Sequence, residues 1–165
     1  MPWHLPPDEK AGRNFLDEMR GLFETKPDVF LFALGANDAL RIGAVRVRKE
    51  PLPTSDEIEA TRRDVAQQIG ALLAEADARV PGMCKIVVTP GTHSFLWWAV
   101  YADEAKFIGD VLRYYAGLPS GADVSTYVKG YPPFKNVRVA DWAALSAGPQ
   151  KNHWFSDGIH LTDEG

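Results

Sequence analysis

Near the carboxyl end of the chain, Asp157 and His160 stand three residues apart in Ser156-Asp157-Gly158-Ile159-His160-Leu161. On a turn or a helix start, that spacing sets a carboxylate beside an imidazole. A carboxylate bonded to one ring nitrogen fixes the tautomer and leaves the other nitrogen as a base near neutral pH. The competing reading is a turn aspartate followed by a surface histidine, and D-x-x-H alone does not decide between them. A second group is Gly35-Ala36-Asn37-Asp38, directly after an apolar run. Asn37 there offers a neutral amide donor for a developing oxyanion. The same four residues also suit an ordinary tight turn between a strand and a loop. The four histidines, His4, His93, His153 and His160, fall at no metal-binding spacing. Neither G-x-G-x-x-G nor a Walker A segment occurs, so the sequence gives no support for a dinucleotide or P-loop cofactor.

Elements that position these residues follow from periodicity. Asn14–Thr25 carries Phe15, Met19, Leu22 and Phe23 at helical spacing, and Lys26-Pro27 ends it. Val29–Leu34 is a continuous apolar run, predicted as a strand buried on both faces. Arg41–Pro53, with its basic residues and two prolines, reads as a solvated loop rather than an anion site. Thr54 and Glu57 form a capping box for a helix running to about Ala78, with Ile58, Val65, Ile69, Leu72, Leu73 and Ala76 on one stripe. Lys85–Thr89 is a second buried strand, Tyr101–Ala116 a third helix and Asn136–Ala140 a third strand. Phe95–Tyr101 reads as core packing at the start of that helix, or else as the lining of an acyl or sugar pocket. The order helix, strand, helix, strand, helix, strand is that of a parallel sheet with crossover helices. Gly117–Asn136 resists assignment: it is either a functional lid or binding loop, or a further short element with weak periodicity.

In such a sheet, ligands bind beyond the carboxyl ends of the strands. The segments there are Gly35–Asp38, Pro90-Gly91-Thr92-His93-Ser94 and Asp141-Trp142. The bulk composition sets the class. The 165 residues are 45% hydrophobic and 24% charged with net charge −4, as in one globular α/β domain over 1–165. That charge supplies no basic field for nucleic acid. The single cysteine, Cys84, excludes a disulfide framework. No apolar run reaches the ~20 residues that span a bilayer, and Met1–Lys10 is no secretory signal.

Taken together, Gly35-Ala36-Asn37-Asp38 after a strand and Asp157-Gly158-Ile159-His160 near the carboxyl end resemble the SGNH (GDSL-type) hydrolases, whose third and fifth blocks are G-x-N-D and D-x-x-H. Asp28–Arg41 (DVFLFALGANDALR) and Trp154–Gly165 (WFSDGIHLTDEG) are especially similar to SGNH domains associated with bacterial cell-envelope acyltransferases. Ala11-Gly12-Arg13-Asn14 corresponds to the second block through one glycine. The resemblance implies a three-layer αβα, flavodoxin-like parallel sheet and a serine ester hydrolase without metal or cofactor. Its substrates would be small acyl esters, such as acetyl esters of a carbohydrate. By position, His160 would be the base, Asp157 its orienter, and Asn37 and Gly12 oxyanion-hole donors. The implied setting is the bacterial cell envelope or outside the cell.

One block of the family pattern is absent. Its nucleophile lies in a Gly-Asp-Ser segment upstream of the matched blocks. Here the serines are Ser55, Ser94, Ser120, Ser125, Ser146 and Ser156, and none follows an aspartate. Ser94 alone lies near the expected site, and it reads as a loop or capping residue. The expectation is therefore a domain shortened at both ends, lacking its first strands and last helix. Its Val29–Leu34 strand would be an open edge able to pair with a second copy. The alternative is a non-catalytic relative that binds a glycan or protein partner through the same cleft.

Overall fold

The computed structural model describes residues 15–91 and 99–145. Its elements are α1 (Phe15–Phe23), β1 (Val29–Phe32), α2 (Ala36–Val47), α3 (Ser55–Arg79), β2 (Cys84–Val88), α4 (Ala99–Tyr115), β3 (Val137–Ala140) and the short α5 (Trp142–Leu145). The three strands form one all-parallel sheet in the order β1-β2-β3, with Leu31 opposite Ile86 and Val87 opposite Val139. The chain is thus an α/β protein, as the alternation of periods requires.

The two long helices form where their stripes predict. Thr54 caps α3 by accepting from the Glu57 backbone N–H at 3.1 Å. Val65, Ile69, Leu72, Leu73 and Ala76 of that helix are all buried. In α4 the predicted stripe of Tyr101, Ala105, Ile108, Leu112 and Tyr115 is buried throughout. In α1, Met19 and Phe23 enter the core, and the Phe23 ring lies 5.5 Å from Phe30 and 6.4 Å from Phe32.

Two expectations are corrected. Arg41–Pro53 is not a loop from its start, because α2 continues through Val47. Ala39, Ile42 and Gly43 give α2 a buried stripe of mostly small residues. Its arginines are spent on neighbouring helices: Arg41 on Asp64 at 2.8 Å and Arg46 on Glu104 at 2.6 Å. Gly43 faces α4, where a methyl would meet Val100 at an ordinary contact distance of 3.6 Å.

Nor is β1 buried on both faces. Phe30 and Phe32 pack on the core with Val87, Val137 and Val139, whereas Val29 and Leu31 are 56% and 59% exposed. The strand pairing puts Ile86, Val88, Arg138 and Ala140 on the same face as Val29 and Leu31. None of these six joins the core cluster. Among the described residues the core therefore occupies one face of the sheet, and β1 and β3 are its edges.

The segment 117–136 contains turns but no helix or strand. It is nonetheless built into the body. Val124 and Val128 are buried, and the Gln67 side-chain amide of α3 donates to the carbonyls of Tyr127 and Lys129 at 3.0 and 2.8 Å. The Phe134 N–H donates to the Tyr115 carbonyl at 2.8 Å. Two buried charged side chains, Glu104 and Lys85, tie the elements together from inside. Glu104 accepts from Arg46 at 2.6 Å and from Arg62 at 2.7 and 2.9 Å, joining α2, α3 and α4. Buried Lys85 of β2 pairs with Asp77 of α3.

Candidate functional site

The carboxyl ends of the three parallel strands gather the chemistry that can be placed. After β1 the chain turns through Gly35, whose φ of 99° lies in the left-handed region, and α2 begins at once. Its first turn closes with the Ala39 N–H donating to the Gly35 carbonyl at 2.8 Å. Only a residue without Cβ fits here, because a methyl on Gly35 would stand 2.6 Å from Ile108 Cγ2 of α4. Asn37 follows in that first turn with its side chain exposed, while Asp38 is buried. Asn37 is thus in helix α2 rather than in a plain turn.

At the end of β2, Thr89 is 1% exposed and ties two strand exits together. Its hydroxyl donates to Asp141 Oδ1 at 3.2 Å and accepts from the Ala143 N–H at 2.9 Å. Asp141, directly after β3, also accepts from the Ala144 N–H at 3.2 Å and pairs with Arg113 of α4. An aspartate at that position caps α5 and fixes Arg113 in one move.

Beside this junction lies a cavity of about 360 Å³, walled by α4, by Thr89 and Asp141, and by Pro119-Ser120-Gly121 of the long loop. A second cavity of about 270 Å³ shares Lys106 and Asp110 with it and is walled by Phe107 and Tyr127. The two rings meet edge to face at 4.9 Å. Tyr127 donates its hydroxyl to Glu59, which holds the phenol above its ordinary pKa. Arg62 spans the two acids Glu59 and Glu104 and lies 5.4 Å from the Phe107 ring centre. The bonds to Glu104 raise its guanidinium pKa further. Tyr127 and Arg62 are therefore held by structural bonds rather than poised as acid or base.

Of the residues singled out in the sequence, Asn37 stands at the carboxyl edge, as expected. Gly12, His93, Ser94, Asp157 and His160 lie outside the described residues. The Asn37 turn and the larger cavity meet along α4: Ile108 abuts Gly35, and Gly109 lies against Thr89, where a methyl would meet Thr89 Cγ2 at 3.9 Å. Lys106, Asp110 and Arg113 were not singled out, because charges along one face of a helix read as solvated in the sequence, although Asp110 is in fact buried. The one usable signal was the long Gly117–Asn136 segment, which carries the cavity's outer wall. Among the described residues, no group of three or more His, Cys, Asp or Glu is placed to hold a metal ion. Nor is any helix among them long and apolar enough to cross a membrane. Compared with protein-family models, curated proteins and solved structures, the chain matches none.

Proposed function

We propose that this chain is an SGNH-type serine ester hydrolase domain acting on small acyl esters, with a flavodoxin-like parallel sheet as its frame. The observation that carries the reading is the placement of Asn37. The G-x-N-D segment leaves a parallel strand through a left-handed glycine and presents an exposed carboxamide in the first turn of the next helix. A carboxamide at a strand's carboxyl end can donate to an oxygen that gains charge as an acyl carbon becomes tetrahedral. In this reading His160 takes the proton of the attacking hydroxyl, Asp157 orients its ring, and the Gly12 N–H is a second donor to the oxyanion.

The attacking serine is not assigned, since none of the six serines follows an aspartate. That observation also favours a second reading, in which the domain is a non-catalytic relative that binds a glycan or protein partner through the same cleft. The two separate by experiment. The 165-residue chain, and the gene product with its native upstream codons, are treated with a fluorophosphonate probe and assayed with an aryl acetate. Under the hydrolase reading the longer product labels and turns over, and Asn37→Ala lowers kcat by about 10²–10³. A longer product that neither labels nor hydrolyses leaves the binding reading.

A further inference from the structure

We propose that the groove between α4 and the loop segment 119–124 is a binding site for a neutral, hydroxyl-rich ligand with the size and chemistry of a sugar ring. This deepens the glycan-binding reading above, on which it rests, and is independent of the ester chemistry, because none of the groove's residues takes part in that chemistry. Where both hold, the groove seats the alcohol part of the ester.

The cavity of about 360 Å³ lies within the range of roughly 300–1,000 Å³ typical of small-molecule sites. The neighbouring 270 Å³ cavity extends it past Lys106 and Asp110 to the Phe107 and Tyr127 rings. Four charged side chains line the larger cavity, two cations (Lys106, Arg113) and two carboxylates (Asp110, Asp141). The lining is thus formally neutral and gives an anion no net attraction.

What remains unspent is a mixture of donors and acceptors. Asp110 is buried, and its Oδ1 accepts from the Gly121 N–H at 2.7 Å. Among the described residues no donor reaches its Oδ2, and Lys106 Nζ has no hydrogen-bond or ion-pair partner. Arg113 commits one nitrogen to Asp141 and keeps further N–H groups. A phosphate would use the donors but face two carboxylates. A diol matches both kinds of group, because each hydroxyl donates to a carboxylate oxygen and accepts from an N–H at once. The small side chains of Gly109, Gly121 and Ala143 leave the floor open to a ring.

The test uses the intact chain labelled with ¹⁵N and titrated with methyl β-D-glucopyranoside, with sodium phosphate in a parallel titration. The glucoside should shift the amides of Gly109, Gly121 and Ala143 in a saturable way at millimolar concentration, and phosphate should leave them in place. Asp110→Asn, which keeps the acceptor for the Gly121 N–H, should weaken the glucoside response at least tenfold. Should that variant unfold, Lys106→Gln at an exposed position serves instead, with a several-fold loss expected. The proposal is overturned if the glucoside leaves these three amides unmoved, if phosphate shifts them more than the glucoside does, or if a folded variant binds as the parent does.

Discussion

Thr89 and Asp141 are joined across two strand exits by a hydroxyl-to-carboxylate hydrogen bond of 3.2 Å, and the same hydroxyl accepts from the Ala143 N–H at 2.9 Å. One threonine hydroxyl therefore links the β2 and β3 exits, where the larger cavity opens. Thr89→Val keeps the shape but strips Asp141 of a donor and the Ala143 N–H of an acceptor. A buried polar group left unpaired costs about 1–3 kcal/mol. Urea unfolding should show a loss of about 2 kcal/mol for Thr89→Val, and Thr89→Ser should recover most of it.

Glu104 carries a second test. Its side chain is fully buried, and it receives Arg46 and Arg62 from two other helices. Removing one partner of a buried pair costs about 3–5 kcal/mol, because the remaining charge is left uncompensated. Both arginines keep partial access to water, at 28% and 22% side-chain exposure, so Glu104→Ala should cost nearer 2–3 kcal/mol in thermal or urea unfolding. Glu104→Gln should cost less, since it retains an acceptor oxygen.

Gly35 is sensitive for a different reason. Its φ of 99° and the 2.6 Å approach to Ile108 Cγ2 leave no room for a methyl. Gly35→Ala should destabilise by at least 2 kcal/mol, combining left-handed strain of about 1–2 kcal/mol with displaced packing. Asn37→Ala, two residues on and exposed, should stay within about 0.5 kcal/mol of the parent. A large stability loss for the alanine at 37 would mean that its amide serves the fold.

Acid should loosen the attachment of α1. Glu75 accepts from Arg79 at 2.6 Å and from Arg20 at 3.0 Å, and the Arg79 bond is the larger cause of its lowered pKa. A carboxylate whose folded pKa is depressed contributes stability above its unfolded value of about 4.3 and loses it as pH falls through the folded value. Stability should therefore fall below about pH 5, and Glu75→Gln should flatten that slope. The difference should be under about 1 kcal/mol, because the group is partly exposed and screened. An unchanged pH slope in the variant would assign the acid sensitivity to other carboxylates.

Much of the frame could be read in the sequence because period and capping agree there. Thr54-Ser55-Asp56-Glu57 begins α3 where the capping box predicts, and the Tyr101-to-Tyr115 stripe buries every residue named for it. Helix α2 was missed because its start has no side-chain cap and its buried stripe is largely Ala and Gly, which hydrophobic periodicity registers weakly. Its arginines looked solvated because their partners, Asp64 and Glu104, are distant in the chain. The exposed face of β1 was hidden by composition, since Val29 and Leu31 are as apolar as the residues that pack inward. At the site, Asn37 was legible through its place after a strand. Lys106, Asp110 and Arg113 were not, because a cavity between a helix and an irregular loop is made by tertiary contact alone.

The register of the sheet also bears on how the chain reaches its fold. Val29 pairs with Cys84, and Lys85 with Val137, so each ladder joins positions about fifty residues apart. Each ladder has to close a long intervening segment, and long closures of this kind slow the search. The 25-residue α3, capped at Thr54, can form from local contacts alone. A transition state in which α3 is already formed and both strand ladders close late follows from that difference. Substitutions at Val29 or Leu31 should then act on the unfolding rate and leave the folding rate almost untouched.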